Sequence, residues 1–193
     1  MHSIAFVLLP TDVRDIRKTT ESLLAPYDTE LEVQPYKSYF PDSVRNYWAE
    51  KLGTEDLQTI ANRLRLEANG KWETLIDDVG IYEISTHNPR GRFDYWRAAQ
   101  LFEPKLAVPQ VGEDLSRSLC LVSQLPRGEN IPYSLITPEG DWFCANDFGV
   151  KPIYDFKGQS HLNREANARW EDEVHKLLAR YANHLVFALD VHS

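Results

Sequence analysis

The chain opens on Ser3–Pro10, SIAFVLLP, almost without a polar residue. A run this short and this apolar reads as a strand covered on both faces, not one with a solvent side. Thr11 or Asp12 stands where an N-cap would accept from free helix amides, and Val13, Ile16, Thr20, Leu23 and Leu24 then recur at helical spacing. Pro26 lacks an amide donor and restricts Ala25, so the helix is expected to stop there. Leu31–Phe40 alternates in part, like a strand, with Pro35 marking an edge position or a bulge. The opening therefore reads β-α-β.

Two helical stripes follow. Pro41-Asp42-Ser43 starts the first, with Val44, Tyr47, Trp48 and Leu52 on one side and Gly53 as its stop. Thr54 is the expected cap of the second, whose stripe is Leu57, Ile60, Ala61, Leu64 and Ala68, ended by Asn69-Gly70. Residues 41–70 are too few to bury much core alone and read as a helical insertion. Val79–Thr86 is a weaker strand pattern, and Ser118–Leu125 another. Pro104 and Pro109 bracket an irregular region, and 146–160 reads as loop. Ile131–Thr137 and Asp141–Ala145 flank Pro138-Glu139-Gly140, a hairpin signal. Arg164–Tyr181 carries the clearest helical stripe, Ala166, Trp170, Val174, Leu177, Leu178 and Tyr181, and Leu185–Val191 closes the chain as an apolar strand.

Strands at both ends, with a helix after the first and another before the last, predict one α+β domain over residues 1–193. The expected architecture is a ferredoxin-like sandwich: a mixed or antiparallel sheet with both long helices on one face and 41–70 inserted. A doubly wound sheet fits less well, because 131–145 reads as a hairpin and not a crossover.

Composition narrows the function classes. With 21 Lys plus Arg against 29 Asp plus Glu, the chain carries −8, which argues against coating duplex DNA or an anionic membrane. No apolar run approaches the length of a membrane span, and the first apolar stretch is too short for a signal sequence, so a soluble, cytoplasmic protein is expected. The two cysteines, Cys120 and Cys144, lack metal-type spacing and read as buried thiols, with one bridge between adjacent strands left open.

The segment NPRGRFDYWR, residues 88–97, stands out against this acidity: three arginines and one aspartate give a local +2. Asn88, Arg90, Arg92, Asp94, Tyr95, Trp96 and Arg97 are the candidate ligand-binding residues, since flat rings beside guanidinium groups can stack on and neutralise an anionic ligand. The competing reading has Phe93 and Trp96 plug the core while the arginines stay solvated. Trp142, just past the hairpin turn, is a further candidate anchor or else a cross-strand packing partner. Trp48, Trp72, Trp96, Trp142 and Trp170 make five tryptophans, and Trp170 falls on a core stripe.

Asp190 and His192 lie two apart on the last strand, so both point to one face. They are candidate divalent-metal ligands, with the third donor from elsewhere, Asp94, Asp147 or His87; the favoured set is Asp94, Asp190 and His192 with one further carboxylate, and the other reading is a solvated strand end. Asp77-Asp78 diverges in an extended segment, and His161, His175 and His184 make no metal motif. Nucleophile-elbow, dinucleotide-binding and phosphate-loop motifs are absent from the sequence.

Several islands occur in a familiar order: LLAPYDTELEVQPY at 23–36, NPRGRFDYWR, LITPEGDW at 135–142 and the closing DVH. Together they resemble a group of phage-associated and bacterial proteins with no established activity. In that group a Gly-Gly-Arg-Trp element follows the aromatic-Asp-aromatic cluster, where this chain has Arg97-Ala98-Ala99-Gln100, and alanines do not take positive φ cheaply. The resemblance implies a single domain and a mobile-element context, not a reaction. The expected function is a non-enzymatic binding protein for a small anionic ligand or a protein partner, without a cofactor. The alternative is a hydrolase assisted by a divalent metal on Asp94, Asp190 and His192.

Overall fold

The computed structural model describes residues 2–69, 73–102, 115, 117–125, 131–150 and 164–192. Trp72, Pro104, Pro109, His161 and the loop expected over 151–160 lie outside them. In chain order the elements are β1 (His2–Leu9), α1 (Ile16–Leu24), β2 (Tyr36–Tyr39), α2 (Asp42–Leu52), α3 (Leu57–Glu67), β3 (Leu75–Ile76) and β4 (Ile81–Ser85). They continue with β5 (Tyr95–Ala98), β6 (Leu119–Leu121), β7 (Ser134–Ile136), β8 (Trp142–Cys144), α4 (Arg164–Arg180) and β9 (Leu185–His192). The chain divides into two compact units, residues 1–29 with 90–193, and residues 30–89.

The first unit is built on β1 and β9, which pair antiparallel from His2 opposite His192 to Leu9 opposite Leu185. On the far side of β1 lies β7, parallel to it, and β8 folds back against β7 as the predicted hairpin, with Gly140 at φ 87° in its turn. Beyond β9, β5 pairs with its C-terminal half and β6 with its N-terminal half. The sheet is mixed, and the α+β class is as expected.

Two expectations about its layering fail. Ala5, Val7 and Leu9 pack with Ile16 and Leu24 of α1, whereas Phe6 and Leu8 pack with Trp170, Val174 and Leu177 of α4. Alternate residues of a strand point to opposite faces, so the two helices cover opposite faces of the sheet, not one. A strand as apolar as β1, with Ala5–Leu9 wholly buried, needs that cover on both sides. The order β9-β1-β7-β8 also sets β1 and β7 side by side, whereas a ferredoxin-like sandwich splits such a βαβ pair with another strand.

Local signals were placed close to where they act. Asp15, not Thr11 or Asp12, caps α1 by accepting from the Lys18 amide, and Asp56, not Thr54, caps α3 through the Thr59 amide. Pro26 sits in a 3₁₀ turn, Ala25–Tyr27, that ends α1. Cys120 and Cys144 are buried thiols on β6 and β8. With β9, β1 and β7 between them, at about 4.8 Å per strand, no bridge can join them.

The second unit contains the two expected helices, together with strands from either side of 41–70. There β2 pairs with β4, and β4 with β3, so β2 does not join β1 in one sheet and the opening is not β-α-β. Ile60, Ala61 and Leu64 of α3 are buried against Ile81, with Val44, Trp48 and Phe40 alongside, while Tyr47 and Leu52 stay exposed. Gly53 ends α2 at φ 64°, and Asn69 ends α3 at φ 51°.

Phe187, wholly buried on β9, packs on the α1 side among Ala5, Val7 and Leu24. Phe187→Ala is expected to cost about 3–5 kcal/mol of unfolding free energy in denaturant titrations, the toll of a large cavity in an ordered core.

Candidate functional site

Both faces of the β1–β9 ladder are apolar until its end. There Leu189 is buried, Asp190 half-buried, Val191 buried and His192 half-buried, opposite an exposed His2. This alternation puts Asp190 and His192 on one face, as their spacing predicts, with His2 from β1 and Arg97 and Tyr95 from β5.

The polar groups there satisfy one another. Asp190 accepts from Nε of Arg97 at 2.8 Å, with Nη2 also 2.8 Å away, and its other oxygen lies 3.0 Å from Nδ1 of His2. Nδ1 of His192 lies 2.8 Å from Asp94. The rings of His2 and His192 are 5.1 Å apart between centroids. Burial pushes the Asp190 carboxyl up, but the hydrogen bonds from Arg97 and His2 outweigh it and hold it below its ordinary value. Asp94 is lowered chiefly by its hydrogen bond with His192. A cavity of about 580 Å³ opens here, lined by His2, Ser3, Ile4, Arg97, Ala98, Ala99, Gln100 and Asp190.

The side chains of the basic aromatic segment are divided between the two faces of the sheet. Tyr95 and Arg97 face the α4 side of the sheet. Trp96 faces the α1 side, edge-on to Phe187, and lines a separate cavity of about 320 Å³ with Phe93 and Asp94. Strand geometry forces this split, because neighbours on a strand cannot share a face. Phe93 is core and stacks with Trp142 at an interplanar angle of 4°. Trp142 is half-buried and packs against Phe93 and Tyr27. Arg92 approaches Asp147 only to 3.9 Å, both side chains nearly half exposed.

Arg90 has a structural position. Its Nη2 donates to the Tyr27 hydroxyl at 2.8 Å while the guanidinium lies 4.6 Å over the same ring. That hydroxyl donates to the Gly140 carbonyl at 2.7 Å and accepts from the Trp142 amide at 3.2 Å. Thr29 and Arg92 amides donate to the Phe93 and Tyr27 carbonyls, so the chain leaves the first unit and re-enters it at adjoining points. Asn88 and His87 belong to the second unit.

Among the described residues no three His, Cys, Asp or Glu side chains gather as a metal-holding group. Asp94 pairs with His192 and Asp190 with His2 and Arg97, while Asp94 also lines the separate cavity beside Trp96. Asp77 in the second unit accepts from Lys37 and Tyr39 and from the Val79 and Gly80 amides, so the Asp77-Asp78 pair organises a turn. His2 was not among the residues singled out from the sequence. Its signal was register: it becomes visible once the first and last strands are paired. Comparison with protein families, curated proteins and solved structures found no match.

Two measurements test this description. Tyr27→Phe is expected to lose about 1–3 kcal/mol of stability, because it removes the hydroxyl that serves the Gly140 carbonyl and the Trp142 amide. Asp94 and Asp190 have lowered pKa values when folded. Their contribution is therefore present above the unfolded value of about 3.9 and lost as pH falls through the lower folded values. Denaturant midpoints between pH 2 and 6 should show a shallower acid limb in Asp94→Asn and Asp190→Asn than in the parent protein.

Proposed function

We propose that the protein binds a small anionic ligand in the cavity at the end of the β1–β9 ladder, with Arg97 as the principal contact and His2 beside it. The single observation that carries this reading is the way Arg97 is held. A guanidinium has five N–H donors in a fixed fork. The Nε and Nη2 side of that fork faces Asp190, and Arg97 lines the cavity with its side chain still 63% exposed. Asp190 fixes the fork before a ligand arrives, so little rotamer freedom is left to lose on binding.

The cavity volume lies within the range of small-molecule sites. Its walls include Gln100 and the β5 backbone, polar groups able to fix a ligand's orientation. The net charge of −8 limits the ligand to something small enough to feel Arg97 locally and not the field of the whole chain. The mobile-element context implied by the sequence islands supplies a setting for such binding, not a chemistry.

Titration calorimetry with inorganic phosphate and with pyrophosphate is the test. Arg97→Ala is expected to weaken binding about 10- to 100-fold, the loss of a charge-assisted hydrogen-bond pair, while Arg92→Ala leaves it unchanged. Equal affinity in Arg97→Ala and the parent protein, or no heat with either anion, overturns the reading.

A further inference from the structure

His2 and His192 stand opposite each other in the β1–β9 register, so both rings leave the same face of the sheet. Each is held alike: Asp190 takes Nδ1 of His2, and Asp94 takes Nδ1 of His192. A carboxylate on Nδ1 keeps the proton of the neutral ring there and leaves Nε2 with the lone pair. Two such rings in one patch can serve as a proton acceptor and a proton donor side by side. Arg97, opposite Asp190 on β5, adds a fixed cation.

Among the described residues this set offers no nucleophile: of those lining the cavity, Ser3 alone carries a hydroxyl, and strand alternation turns its side chain to the face opposite His2. A ribonucleotide phosphodiester brings its own nucleophile, the 2′-hydroxyl, and its transfer needs a base, an acid and a cation on the phosphoryl oxygens. We propose that this site cleaves short ribonucleotide phosphodiesters by intramolecular transfer, with His2 and His192 as the base–acid pair and Arg97 on the phosphoryl group. The proposal rests on the anion-binding reading above.

In the step, Nε2 of the neutral ring takes the 2′-hydroxyl proton as that oxygen bonds to phosphorus. The bond from phosphorus to the 5′-oxygen breaks, and the protonated ring gives its proton to the leaving oxygen. The products are a 2′,3′-cyclic phosphate and a free 5′-hydroxyl; no water or co-reactant is consumed, and the rings exchange protonation states. The charged and titratable groups facing the pair are Asp190 from β9, Arg97 and Tyr95 from β5, and Asp94 just before β5. The acidic chain and small cavity favour a dinucleotide-sized substrate over an extended strand.

The test uses the full chain, the ribodinucleotide UpA and its 2′-deoxy analogue. UpA is expected to be cleaved with a bell-shaped pH dependence of kcat/KM, and the deoxy analogue to bind without cleavage. His2→Gln and His192→Gln should each lower kcat about 100-fold or more and erase one limb of the bell, with KM little changed. Arg97→Lys should lower kcat/KM, because an ammonium does not reproduce the guanidinium fork on the phosphoryl oxygens. Asp94→Asn, which leaves the His192 ring in place, should shift one limb, and it serves if a histidine variant fails to fold. Arg97-dependent binding of the deoxy analogue without cleavage of UpA overturns the catalytic proposal and leaves anion binding standing. No binding of either overturns both. Equal cleavage in the histidine variants prepared alongside, or cleavage of the deoxy analogue, overturns catalysis by this pair.

Discussion

The eight-residue ladder between the first and last strands is the constraint on which the first unit depends. β5 and β6 are ordered by pairing with β9, β7 by pairing with β1, and β8 only through β7. The register is fixed by burial. Ala5–Leu9 and Leu185–Leu189 are apolar on both faces, so the ladder must lie between two covering layers, and α1 and α4 supply them. A slip by one residue would turn Asp190 and His192 toward Trp96 and Leu24 and leave their charges without partners. The same register that buries Phe187 therefore decides which polar side chains meet at the ladder's end.

Magnitudes show the direction of this dependence. An ion pair such as Arg97–Asp190, with the arginine side chain largely exposed, contributes at most about 1 kcal/mol. Each fully buried Leu or Phe contributes about 1.5–3 kcal/mol, and β1 and β9 together hold many. The polar cluster does not hold the strands together; the strands present the cluster. The Tyr27 hydroxyl plays a comparable part at the other junction. It ties the hairpin turn at Gly140 and Trp142 to the point where the chain re-enters the first unit, so an insertion of about sixty residues leaves the sheet's register undisturbed.

Much of the fold was legible because it is local. SIAFVLLP reads as a doubly covered strand, the α4 stripe as a helix, and Pro138-Glu139-Gly140 as a hairpin turn, and each signal lies within a few residues of its effect. Layering was not legible from helices counted along the chain, although β1's unbroken apolarity already demanded cover on two sides. The caps moved by two to four residues, from Thr11 or Asp12 to Asp15 and from Thr54 to Asp56, because several short polar residues compete at each helix start. At the site, Asp190 and His192 were recognisable from their spacing alone. His2 was not, since its meaning comes from a partner 190 positions away. The arginine and aromatic segment shows the opposite case: residues contiguous in the sequence are divided between the two faces of β5.

Asp190 sets the terms on which this site can work. It faces Arg97 and Nδ1 of His2 at once, so it cancels part of the positive potential that an anion would seek. What it provides in exchange is geometry: a guanidinium fork and an imidazole held together on one carboxylate, with the Nη1 end of the fork and Nε2 of the ring left over. In a wet, open cavity the long-range field of one arginine is screened within about 8–10 Å, and orientation is what survives at contact distance. Under the proposed anion-binding reading, such a site would discriminate by shape and donor placement more than by charge. That is consistent with a chain whose overall charge would repel a large polyanion yet leaves room for a small one.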